Sequence, residues 1–175
     1  GALLVGRRIG AVYLGVALSV LLFVFRQANR LRLVELVPVE GGFPIERPAP
    51  ARLPDRSVTL LYPYGSLFYA AAKTFEENLP SADKARQVVV VFIFRGYEEF
   101  GSTMIGVLDR YCRTLQANGG EMMLAGISPG VMRQLDRTGL LDLIGREYVF
   151  PVQEQWGVAA GQAWQAAQDW LKSST

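Results

Sequence analysis

Residues 88–117 read VVVVFIFRGYEEFGSTMIGVLDRYCRTLQA, and this stretch decides the fold. Its first seven residues, 88–94, are uninterruptedly apolar and mostly β-branched or aromatic. A run so short and so apolar predicts a strand buried on both faces, as found in the middle of a sheet covered by helices. Further on, Met104, Ile105, Leu108, Tyr111, Cys112 and Leu115 recur at three- and four-residue spacing, one apolar stripe on a helix that ends at Asn118, Gly119 and Gly120. A helix covering its own strand predicts that Met104, Leu108 and Cys112 pack against Val89, Val91, Ile93 or their neighbours. Between strand and helix lies the junction 95–103, which we take as the functional centre. Gly101 or Ser102 serves as the helix N-cap, with the Ser102 and Thr103 hydroxyls at the first turn, where free N–H groups and the positive dipole end converge. Such a pair commonly does no more than cap a helix; a phosphate placed there would also meet a favourable field.

Composition narrows the function classes. The 18 basic and 16 acidic residues among 175 leave a formal charge of +2, which gives no electrostatic reason to propose a nucleic-acid partner. The chain contains no histidine, so the usual general base of a Ser or Cys triad and the commonest metal ligand are missing. We therefore expect no catalytic residues, no metal and no cofactor. Cys112 is the single cysteine, which excludes an intrachain disulfide and, on an apolar helix stripe, reads as a small buried hydrophobe.

Residues 9–25, IGAVYLGVALSVLLFVF, carry no charge and are bracketed by Arg7 and Arg8 before and Arg26, Arg30 and Arg32 after. Seventeen residues make a helix about 25 Å long, at the short end of what spans a bilayer core. We read a membrane helix, with the more basic C-terminal flank favouring a cytoplasmic exit. A signal peptide is the rival, weakened because RQANRLR follows where a small-residue cleavage site would stand. A buried helix of a soluble domain would need a complete protein shell around it. The opening GALLVG has no initiator methionine, and we expect a piece of a longer membrane protein whose final span is this helix.

LRLVELVPV, 31–39, alternates as a strand does. GGFPIERPAPARLPD, 41–55, carries four prolines and predicts an extended linker lying over a surface. The expected organisation is 1–30 as membrane helix and basic exit, 31–56 as first strand and linker, and 57–175 as the folded module. In that module VTLLYPY opens as a strand and AAAKTFEENL as a helix closed by Pro80. EMMLAGI is a strand, and Ser128 with Pro129 starts the helix that Gly139 stops. LLDLIG reads as a turn, EYVFPV as a last strand, and 158–171 as a final helix. Strands alternating with helices favour an α/β layer with largely parallel central strands. Trp156, Trp164 and Trp170 do not share one stripe, and we read them as packing residues rather than an interfacial belt.

In this order the chain resembles the C-terminal end of SulP-family anion permeases: a last membrane helix followed by a STAS domain, the fold shared with anti-sigma-factor antagonists. The features that carry the resemblance are the span with its basic exit, the proline-rich connector, YPYGSLFYAAAKTFEENL, and above all residues 100–150. The resemblance implies an α/β, STAS-like sheet with largely parallel central strands covered by helices and preceded by one transmembrane helix. It further implies a non-catalytic regulatory or assembly domain of a sulfate- or bicarbonate-type secondary anion transporter, seated at the inner or plasma membrane with residues 31–175 cytoplasmic. The implied partners are the upstream transmembrane transport domain and the membrane, with a homodimer, a regulatory protein or a nucleotide as further candidates. The family signature at the helix head is an aspartate, a serine, a serine or threonine, and a glycine. Here those places read Gly101, Ser102, Thr103 and Met104, so the hydroxyl pair is kept while the aspartate and glycine are lost. In soluble relatives one such hydroxyl is phosphorylated, which makes Ser102 and Thr103 the candidate phosphorylation sites and Gly101, Glu98 and Glu99 the candidate partner face. The alternative reading is a soluble phospho-switch that binds a partner kinase through this face.

Overall fold

The computed structural model describes residues 2–28, 31–65, 67 and 69–174. Arg30 of the basic exit, and Ser66 and Phe68 of the segment between the first module strand and helix, lie outside the described residues. The N-terminal helix α1 runs Ala2–Ala28. Its stretch Ala2–Arg26 is long and apolar enough to cross a membrane by length and composition, and is not buried.

The rest is organised on one mixed sheet of β1 (Arg32–Val37), β2 (Ile45–Pro48), β3 (Val58–Tyr64), β4 (Val89–Ile93), β5 (Glu121–Ile127) and β6 (Val149–Pro151), in the order β2-β1-β3-β4-β5-β6. β3 to β6 run parallel, while β1 pairs antiparallel with both β2 and β3. The expected linker over 41–55 is thus corrected. Ile45–Pro48 forms a fully exposed edge strand, a place that tolerates proline because the missing N–H would face away from the sheet.

Helices α2 (Tyr69–Asn78), α3 (Ser102–Ala117), α4 (Pro129–Thr138), α5 (Leu140–Ile144) and α6 (Val158–Ser173) cover the sheet. LLDLIG is therefore a short helix rather than a turn. β4 is buried on both faces and sorts its side chains by parity. Val90, Phe92 and Phe94 join one core with Phe75 of α2 and Met104, Leu108 and Cys112 of α3. Val89, Val91 and Ile93 face the other way, into a core with Ala159, Ala163 and Ala167 of α6. Of the strand residues expected to meet α3, Val89, Val91 and Ile93 turn away and their even-numbered neighbours make the contact, since successive strand residues point to opposite faces. Aromatic volume fills the α3 side, with Phe92 and Phe94 stacked at 5.6 Å. The alanine stripe lets α6 lie close on the other.

Trp164 and Trp170 pack against the α6-side core. Trp156 does not: it is exposed, so the packing role expected of it is not the one observed.

Candidate functional site

Four parallel strands end on one edge, at Tyr64, Ile93, Ile127 and Pro151. Carboxyl edges of parallel strands are where open α/β sheets carry their functional groups. The junction 94–101 lies on this edge and is pinned from four sides. Phe94 donates its N–H to the Ala125 carbonyl at 2.9 Å, and its ring meets Phe100 edge-on at 4.8 Å. Arg95 donates to the Gln153 and Glu154 carbonyls at 2.7 and 3.3 Å. The Tyr97 hydroxyl shares its proton between the Pro63 and Gly65 carbonyls, 3.0 and 2.7 Å away.

The fourth set of contacts comes from α4. Gln134 accepts from the Phe100 N–H at 2.8 Å and donates to the Phe100 carbonyl at 3.0 Å, holding one peptide residue in a two-point clamp. Ser128 caps α4 by accepting from the Val131 N–H at 3.2 Å, and donates to the Glu98 carbonyl at 3.3 Å. Gly130 makes this approach sterically feasible, because a Cβ there would sit 2.3 Å from the Glu98 carbonyl oxygen.

A fixed platform results, from which the sequence-predicted groups project. Glu98, Glu99, Gly101 and Ser102 are exposed and Thr103 is half-buried. Gly101 is the N-cap of α3, extended at φ −66 and ψ 152, with no side-chain cap; Ser102 is the first residue of the helix. The Gly101 carbonyl accepts from the Met104 and Ile105 N–H groups at 3.0 and 3.2 Å. The N–H groups of Ser102 and Thr103 precede the first intrahelical acceptor, so they and the dipole favour negative charge at this spot.

Burial sets the chemistry of the neighbouring titratable groups. The Tyr97 phenol is pushed up to about 12 by burial, and secondarily by Tyr62. The Cys112 thiol is pushed up to about 12, first by burial and then by Glu121 and Asp109, so it carries no thiolate nucleophile at neutral pH. Among the described residues no group of three or more His, Cys, Asp or Glu is placed to hold a metal ion.

Residue reasoning missed Tyr97 and Gln134. Gln134 lies 34 residues from Phe100, and an amide on a polar helix face has no periodicity that announces a long-range partner. A cavity of about 230 Å³ also escaped it, lined by Leu36, Leu60, Ile93, Arg95, Trp156 and Trp164 on the α6 side of the edge.

The STAS domain family matches residues 52–155. No curated protein sequence matches the chain significantly. Among solved structures, the overall structure of SLC26A9 shares 16% identity with a TM-score of 0.65, over 90% of this chain and 27% of that one. The murine Slc26a9 anion transporter in the inward-facing state shares 16% identity, TM-score 0.64, over 90% and 25%. A sulfate transporter family protein from Wolinella succinogenes shares 19% identity, TM-score 0.54, over 66% and 88%. The chain thus spans about a quarter of the length of the SLC26A9 chains it matches, and at these identities the likeness is one of fold.

Proposed function

The chain belongs to the STAS domain family, and from that premise we propose that it is the membrane-tethered regulatory or assembly domain of a SulP-type secondary anion transporter of the sulfate or bicarbonate class. The observation that carries this reading is α1 itself, apolar, exposed over Ala2–Arg26 and a few residues ahead of the sheet in sequence. A helix of 27 residues, unburied over Ala2–Arg26, is about 40 Å long and precedes β1 in sequence, whose residues belong to the same sheet as the STAS-matched segment. An apolar helix of this length with no protein shell finds its shell in lipid. The names of the transporter structures of like fold support the anion-transport setting. Arg26 and Arg32, directly after the apolar stretch, support a cytoplasmic position for the sheet.

In this reading the domain is non-catalytic, which the absence of histidine and the burial of Cys112 support, and its partner is an upstream transmembrane transport domain. Ser102 and Thr103 would be its regulatory hydroxyls, with Gly101, Glu98 and Glu99 the surrounding partner face. A phosphate on exposed Ser102 would meet the helix N-terminus at a junction held by the Gln134 clamp and the Ser128 hydrogen bond. The observation favouring a soluble phospho-switch is this same exposure.

Alkaline carbonate extraction separates the readings. Expressed in bacteria, the chain is expected in the carbonate-resistant membrane fraction at its full mass of 19.3 kDa. Recovery as a soluble monomer, or as a product shortened by removal of α1, would refute the tethered reading; only the first leaves the soluble switch standing.

A further inference from the structure

The last described residue of α1, Ala28, and the first of β1, Arg32, are four residues apart, a distance that cannot exceed about 14 Å. Arg32 is paired across the sheet with Tyr64, so the tether holds the carboxyl edge of β3 close to the end of α1. The 38–44 segment leaves β1 at its other end, level with the start of β3, and folds back so that Phe43 and Pro44 join Leu36, Tyr62, Tyr64 and Trp156 around a shallow recess of about 210 Å³ that reaches the carboxyl edge at Tyr64. Phe43 is 92% exposed, Trp156 59% and Tyr64 41%. The one carboxylate in the recess, Glu46, accepts a hydrogen bond from the Tyr64 hydroxyl.

We propose that this aromatic surface is a lipid-contact face, resting on the headgroup layer of the leaflet from which α1 emerges. The inference depends on the reading of α1 as a membrane span. Given that span, Arg26 sits at the bilayer surface, and the interfacial layer beyond the hydrocarbon core is about 5–7 Å deep on each side, within reach of an edge tethered at 14 Å or less. Tryptophan and tyrosine, amphipathic rings with an apolar body and a polar tip, are the residues that prefer this layer, and Arg26 and Arg32 add affinity for anionic phosphates. A second copy of the chain fits less well. Three rings bury at most about 450–750 Å², short of the roughly 800 Å² per partner of a stable interface.

Trp156 reports on the face directly. Because it is exposed, Trp156→Phe should leave the fold intact, and the difference in emission between the wild-type chain and this variant isolates its signal from Trp164 and Trp170. Both proteins would be reconstituted in vesicles of phosphatidylcholine and phosphatidylglycerol, with or without lipid brominated near the headgroup end of its acyl chains, after carbonate extraction has confirmed insertion. The expected result is a Trp156 signal reduced about twofold or more by the brominated lipid and shielded from aqueous iodide. Quenching by iodide but not by lipid, in a carbonate-resistant chain, overturns this inference and leaves the span reading intact. A blue-shifted signal that follows the protein-to-lipid ratio and ignores bromine assigns the face to a second copy and overturns it too. Release by carbonate overturns both.

Discussion

Replacing Gly130 by alanine adds one methyl group where two backbone segments meet. The new Cβ would lie 2.3 Å from the Glu98 carbonyl oxygen, and since the obstructing atom is backbone, no side-chain rotation relieves the clash. Either α4 or the 95–101 junction must move by about 1 Å to restore van der Waals distance. That movement strains the Ser128 to Glu98 hydrogen bond, already 3.3 Å long, and the Gln134 clamp on Phe100. Overpacking of this kind costs about 1–3 kcal/mol, and each hydrogen bond lost adds about 0.5–1.5 kcal/mol. A total near 2–5 kcal/mol corresponds to a fall in melting temperature of about 5–15 °C for a domain of this size. Gly161 supplies the control: it is helical, in α6, with nothing within 4 Å of its Cβ position, so Gly161→Ala should raise stability by about 0.5–1 kcal/mol. Thermal unfolding of the full chain in detergent, with hydrogen-exchange mass spectrometry over residues 96–103, measures both effects. An unchanged melting temperature and unchanged exchange in Gly130→Ala would refute the claim that α4 positions the Ser102 platform.

Three further outcomes are expected. Gly101→Asp adds the missing side-chain cap to α3 at a position already extended and open around its Cβ, so the variant should gain about 0.3–1 kcal/mol by denaturant unfolding; a loss would show that the backbone at 101 is not the cap described. Tyr97 has a folded-state value raised from 10.0 to about 12, so the stability it contributes is complete below pH 10 and is lost as pH rises through about 12. In Tyr97→Phe that part of the alkaline destabilisation should be absent and one late phenolate should vanish from a 295 nm titration; an unaltered titration curve would contradict the burial of this hydroxyl. Cys112 should resist maleimide at neutral pH in the folded chain and react once the chain is unfolded, whereas rapid labelling of the native protein would contradict its place in the α3 core.

How much of this was legible in the linear chain depended on the range of the interaction responsible. Local rules were sufficient for the buried strand at β4, the stripe of α3, the Ser128 cap with Pro129 and the Gly139 stop, because periodicity and capping act within a few residues. The resemblance carried by residues 100–150 extended that to the family. Tertiary structure alone decided which face of β4 meets α3, because parity depends on how the sheet is assembled and not on the strand's own composition, apolar on both sides. It alone turned Ile45–Pro48 into an edge strand, since a proline-rich segment becomes a strand only when a neighbour such as β1 offers a pairing edge. It alone joined Gln134 to Phe100 and gathered Phe43, Tyr64 and Trp156 around one recess. The chain by itself determined which elements form, through the spacing of its apolar residues, and the sheet's assembly determined which side chains those elements bring together, because contacts between residues far apart in sequence exist only once the elements have packed.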